Sequence, residues 1–224
     1  MLYALSYSRN PANGLKLSAH LSYYDIFKDL TQKSTTAPPF SKNGGAGTVT
    51  DNSGSGWYTA DLKASHDIQW LGTHTVASGY HYDQYMVNSE SWNASNWSND
   101  TRTTLGKRDQ GKTGTHAIFL EDTWNFNPRW TMYLGGRYEW WRGFDGSKAT
   151  DTSGGRVTTG LPDKSYNDFS PKFSITYKPT PDWSLRYSLG VAYRYPTANE
   201  LFYGGINSAG GVTTPNPDLK PEHI

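Results

Sequence analysis

The stretch WSLRYSLGVAYRYPTANELFYGG, Trp183 to Gly205, constrains the chain more than any other. Trp183, Leu185, Tyr187, Leu189, Val191, Tyr193 and Tyr195 fall on one parity; Ser184, Arg186, Ser188, Gly190, Ala192 and Arg194 fall on the other. Successive strand side chains point to opposite sides, so the alternation predicts a β-strand with one greasy face and one wet face. Strands of soluble sandwiches usually run about 5–6 residues. This one is long enough to cross a bilayer, which takes about 9–11 tilted residues.

No run of about 18 apolar residues occurs in the 224-residue chain, which excludes a spanning helix. Barrel strands hide their hydrophobicity in alternation, so a mean hydropathy of −0.74 is compatible with a membrane protein of that type. Aromatic content of 15%, with 9 Trp and 16 Tyr, fits the aromatic girdles of such barrels. A formal charge of +1 gives no electrostatic case for nucleic acid, and the absence of Cys removes disulfides and thiolate metal sites.

About eight alternating segments are expected, at 2–9, 14–28, 57–69, 74–88, 113–126, 129–144, 167–178 and 183–195, paired with their sequence neighbours. Leu15, Leu17, Ala19, Leu21 and Tyr23 oppose Lys16, Ser18, His20, Ser22 and Tyr24. Tyr58, Ala60, Leu62 and Ala64 oppose Thr59, Asp61, Lys63 and Ser65. The segment around 117–126 is less regular, because Asp122 shares a parity with Ile118, Leu120 and Trp124. Connections alternate in length. Short turns rich in Asn, Pro and Gly stand at 9–14, 69–74, 126–130 and 178–183; long polar stretches stand at 29–56, 88–112, 145–166 and from 196 onward. Sorted loops of this kind are the outer-membrane pattern of periplasmic turns and extracellular loops. Trp70, Trp124, Trp130 and Trp183 lie beside the short turns, and Trp57, Tyr85, Trp140 and Tyr195 near the long ones, which predicts an aromatic band at each interface. The fold expected is therefore all-β: an antiparallel up-and-down transmembrane β-barrel wall of about eight long strands, open rather than closed on itself.

After the break, YRYPTANELF is followed by PNPDLKPE at 215–222. Arg194, Pro196, Glu200, Leu201 and Phe202, then Asn216, Pro217, Leu219, Lys220, Pro221 and Glu222, resemble two consecutive motifs of the TonB-dependent receptors, outer-membrane barrels that import scarce nutrients. The segments 169–190 and 119–140 are similar to that family's barrel hairpins, while the first half is similar in style only. The resemblance implies that residues 1–224 are an internal piece of the barrel domain, with the plug domain and further strands absent. That expectation agrees with MLYALSYSRN lacking the features of an export signal.

The resemblance also implies a receptor of the Gram-negative outer membrane rather than an enzyme. Its partners would be outer-membrane lipid, a small ligand such as a ferric siderophore, and the TonB energy-coupling complex acting through the plug. Motif residues such as Arg194, Glu200 and Lys220 read first as braces of the loop. Candidate ligand contacts are Tyr85, Trp92, Trp97, Trp141 and Arg142, since aromatic faces at loop ends stack on many cargoes. No catalytic residue, cofactor or resident metal is expected: the six histidines lack ligand spacing, and no Gly-x-Ser-x-Gly stretch occurs. Two other readings stay open, a self-contained small barrel with a structural or adhesion role and a soluble carbohydrate-binding β protein.

Overall fold

The computed structural model describes residues 1–12, 14–206 and 212–224. Strands β1 (Leu2–Arg9) and β2 (Lys16–Asp25) form a hairpin, and β3 (Leu30–Ser34) and β4 (Gly47–Asp51) form a second within the connection that follows. The long strands are β5 (Gly56–Gln69), β6 (Thr73–Asn96), β7 (Thr101–Asn127) and β8 (Trp130–Thr152), followed by β9 (Gly155–Gly160), β10 (Lys164–Thr180) and β11 (Trp183–Gly190). The remainder is short: β12 (Tyr193–Arg194), helix α1 (Ala198–Phe202), β13 (Gly205–Ile206), β14 (Val212–Thr213) and β15 (Glu222–His223). The main path is β1-β2-β5-β6-β7-β8-β10-β11, and each step along it is antiparallel. β1 and β11 do not pair, so the sheet is open, and their residues are exposed along their length.

Register carries one apolar row set across the whole sheet. Leu5 lies opposite Leu21, which lies opposite Ala60; Leu62 opposite Tyr80, Tyr80 opposite Ile118, Ile118 opposite Tyr138, and Tyr138 opposite Phe169. Phe173 stands between Leu134 and Leu189. Leu62, Ile118, Phe169 and Leu189 are each half or more exposed, a continuous apolar surface larger than a soluble protein sustains in water.

Aromatic side chains border this face on two levels. At the short turns the rings run Trp70, His74, Trp124, Phe126, Trp130 and Tyr177, with successive centroids 4.2–6.2 Å apart. At the other level Tyr3, Tyr23, Tyr58, Tyr82, His116 and Trp140 follow the register of six strands. The levels are eight positions apart on β6 and on β7. Eight positions span about 26 Å along a strand, or about 20 Å of height at the tilt of about 35–45° of barrel strands, the same order as the apolar band of about 25 Å of a membrane barrel. Asp122 keeps its apolar parity because His74 Nδ1, 2.7 Å away at the lower level, takes one of its oxygens.

Several sequence expectations need correction. The stretch 88–112 is no irregular loop: β6 and β7 pair up to Asn96 opposite Thr101, and a short 3₁₀ turn at Trp97–Asn99 closes the hairpin. β8 likewise continues to Thr152, and β9 folds back on it. Beyond the apolar band neither face must be greasy, so hydrophobic alternation fades while backbone pairing continues. Pairing is not confined to sequence neighbours either, because β4 joins β6 beyond the end of β5. β11 stops at Gly190, not Tyr195: Ala192–Arg194 exchange backbone hydrogen bonds with Glu222–Ile224 instead of extending the β10 ladder. Trp57, Tyr85 and Tyr195 do not belong to the upper aromatic level. They lie on the polar face, and of the four residues expected there only Trp140 shares the apolar parity.

Candidate functional site

On the polar face, at the end away from the short turns, the segment from Tyr195 to Gly204 crosses back over the sheet. Thr197 caps α1: its hydroxyl accepts from the Glu200 N–H at 3.2 Å while the Glu200 carboxylate accepts from the Thr197 N–H at 2.8 Å. This reciprocal capping box satisfies two helix-end donors at once. Arg194 donates to Glu200 Oε1 at 2.5 Å and stands 3.3 Å from Glu222. The Thr197 N–H, together with Arg194, holds the Glu200 carboxyl below its usual pKa.

α1 then presents Leu201 and Phe202, both fully buried, to the sheet. The seat is made of glycines. A Cβ on Gly111 would lie 2.2 Å from the Phe202 ring, one on Gly146 2.5 Å from it, and one on Gly143 3.0 Å from Leu201 Cδ1. Beyond the helix, Gly204 is clamped by Lys107, which donates to its carbonyl at 2.7 Å, and by buried Asp109, which accepts from its N–H. The second motif wraps around the first: the Asn216 N–H donates to Glu200 O, Leu219 packs against the Leu201–Phe202 cluster, and Tyr166 donates to Leu219 O. Pro196 is buried, Pro217 is half-buried, and Lys220 is exposed. Pro221 leads directly into β15.

Between this segment and the wall of β5, β6, β7 and β8 lies a cavity of about 580 Å³. Its aromatic lining is layered. Tyr24 stacks on Trp57 at 4.2 Å and Trp57 leans on Tyr85 at 6.2 Å; opposite them, Trp141 and Tyr195 stack within 4° of parallel at 5.7 Å. Tyr195 also donates to Asp168 at 3.0 Å. Polar contacts come from Asn52, Thr113 and Thr115, and carboxylates from Asp29 and Asp83. Such a cavity, with aromatic and aliphatic walls and a few placed polar groups, is the usual form of a small-molecule site.

Of the five candidate contacts, the structure brings Tyr85 and Trp141 together on this cavity. Trp92 and Trp97 lie at the β6–β7 hairpin tip. Trp92 donates to Glu90 with the Arg156 guanidinium 5.3 Å over its ring, and Trp97 packs on Gly47. Arg142, next to Trp141 in a strand, has the opposite parity and pairs with Asp163 at 2.5 Å. Trp57, Tyr195 and Asp83 were missed, although parity alone places Trp57 with Thr59 and Asp61 rather than with Tyr58 and Leu62. Asp29 and Tyr203 carry no comparable signal, since loop folding brings them to the cavity.

Comparison with known proteins agrees with this geometry. The model of the TonB dependent receptor-like β-barrel family matches residues 2–224. Among solved structures, the ferric citrate transporter FecA in its unliganded form superposes with a TM-score of 0.63 at 18% identity, over 86% of this chain and 27% of that one. The chain thus spans about a quarter of the length of that structure. No curated protein matches. A two-faced wall bordered by two aromatic levels, the Arg194–Glu200 and Asn216–Glu222 motifs locked together, and the match over 2–224 lead to one conclusion: this chain belongs to the TonB-dependent receptor β-barrel family.

Proposed function

We propose that the chain is part of the wall of an outer-membrane receptor of a Gram-negative bacterium that captures a small ligand at its extracellular end and admits it by TonB-driven gating, the cargo being an iron chelate. The apolar face meets lipid and the polar face the lumen. The observation that carries the reading is the aromatic cavity at the lumenal, extracellular end, built where the motif segment folds against the wall. FecA is a ferric citrate transporter of the same fold, which favours iron-bearing cargo.

Tyr85 is the contact proposed first, because it lines the cavity and is exposed; Trp141, also on the lining, is buried between Tyr166 and Tyr195 and backs the site. Trp92 and Trp97 belong to an outer set at the hairpin tip that would meet ligand only on its way in, and Arg142, on the parity of Trp140, faces away from the cavity. In the full-length receptor, Trp57→Ala with Tyr85→Ala is expected to weaken equilibrium binding of a ferric siderophore at least tenfold, because two stacking faces are lost. Trp92→Ala with Trp97→Ala should change it less. Heat-modifiable gel mobility serves as the folding control for both. Equal losses from the two pairs would move the site to the hairpin tip, and no loss from either would remove aromatic capture from this wall.

A further inference from the structure

Charge is distributed unevenly around the cavity. The charged side chains lining it are Asp29 and Asp83, and no Lys, Arg or His is among the described residues of its lining. Asp83 shares its neighbouring imidazole. His81 lies 2.9 Å from Asp83 and 2.6 Å from Asp61, so one ring serves two carboxylates. Asp29 accepts from Asn52 Nδ2 at 3.0 Å and meets no cation in that contact. Three cations at this end of the wall are held elsewhere: Arg194 by Glu200 and Glu222, Lys112 by Asp145, and Lys107 by Asp109 and Gly204 O.

A multiply charged anion entering this space would lose water and gain no cationic partner among the described residues of its lining. Recognition of carboxylates and catecholates calls for Arg or Lys donors, preferably in bidentate geometry. Aromatic side chains beside hydroxyl and amide groups instead suit a flat or apolar ligand surface, and the carboxylates favour positive charge. We infer that this chamber selects an uncharged or positively charged ligand with flat apolar faces and discriminates against polyanionic chelates of the ferric citrate kind. The inference rests on the receptor reading above and narrows its cargo.

The test uses the purified full-length receptor and quenching of Trp fluorescence by four probes: an uncharged ferric trihydroxamate, a triply negative ferric tricatecholate, ferric citrate and an uncharged corrinoid. Between unit charges a few ångströms apart near a protein surface, repulsion is worth about tenfold or more in affinity. Wild type should therefore bind the best uncharged probe at least about tenfold more tightly than either anion. Asp29→Asn with Asp83→Asn should narrow that ratio chiefly by improving the anions. The wild-type ratio stands as a test even if the variant does not assemble. Tighter binding of ferric citrate or the tricatecholate overturns the charge selection while leaving an iron receptor in place. Binding of the corrinoid alone upholds the charge selection and removes iron as the cargo. Binding of neither uncharged probe overturns the inference.

Discussion

Leu189 and Ser188 are neighbours with opposite fates. Leu189 lies opposite Phe173 in the apolar row, and Ser188 opposite Ser174 on the polar face. In the assembled receptor, Leu189→Arg should cost about 2–4 kcal/mol of barrel stability if it sits near the midplane, and Ser188→Arg much less. Unfolding in detergent or liposomes checks this; equal penalties would remove lipid from the apolar side. Glu200 offers a second residue-scale test. Its folded pKa lies below the ordinary value of 4.5, so it contributes stability that is present above 4.5 and lost as pH falls through the lower folded value. The protection of the Thr197–Tyr203 amides, measured against their intrinsic exchange rate at each pH, should be high at neutral pH and fall only well below pH 4.5. Glu200→Gln should flatten that dependence and cost about 1 kcal/mol through the weakened cap. Protection insensitive to acid would mean that Leu201 and Phe202 alone hold the helix.

The element that shapes the chamber is the segment Tyr195–Gly204, whose five-residue helix is too short to be stable alone. It persists because its capping box satisfies the helix start and three glycines open the wall to its two apolar side chains. Gly111→Val should therefore push Phe202 out at a cost of about 1–3 kcal/mol, the usual range for overpacking. Ligand affinity and protease resistance of this segment should fall while heat-modifiable mobility stays, since no membrane strand is disturbed. Loss of mobility as well would make the seat part of barrel assembly. Sequence reading reached the motif but not its seat, because Gly111, Gly143 and Gly146 come from two strands and meet Leu201 and Phe202 only through register. The hairpin of β6 and β7 above the membrane was hidden for a different reason: its Thr, Asn, Ser and Lys residues pair through the backbone and polar side chains and leave no hydrophobic period.

At the scale of the whole molecule, alternation was readable wherever lipid and lumen impose opposite demands on neighbouring residues. It placed the eight-strand path and the faces of β2, β5 and β11, but not the outer ends of β6, β7 and β8, which run well beyond the apolar band. It misled at Trp57, Tyr85 and Tyr195, where nearness to a long connection was taken for membership in a girdle although the aromatic faces the other way. The central claim is that one face of this sheet is buried in lipid between two aromatic levels. Because the chain has no Cys, single Cys residues can be introduced along β7, at positions 117 to 121, and spin-labelled in the full-length receptor in bilayers. Accessibility to oxygen, which concentrates in hydrocarbon, is predicted to be high at Ile118 and Leu120 and low at Ala117, Phe119 and Glu121, with the opposite order for a water-soluble nickel chelate. Equal accessibility on both parities, or higher nickel accessibility at Ile118 and Leu120, would contradict the account.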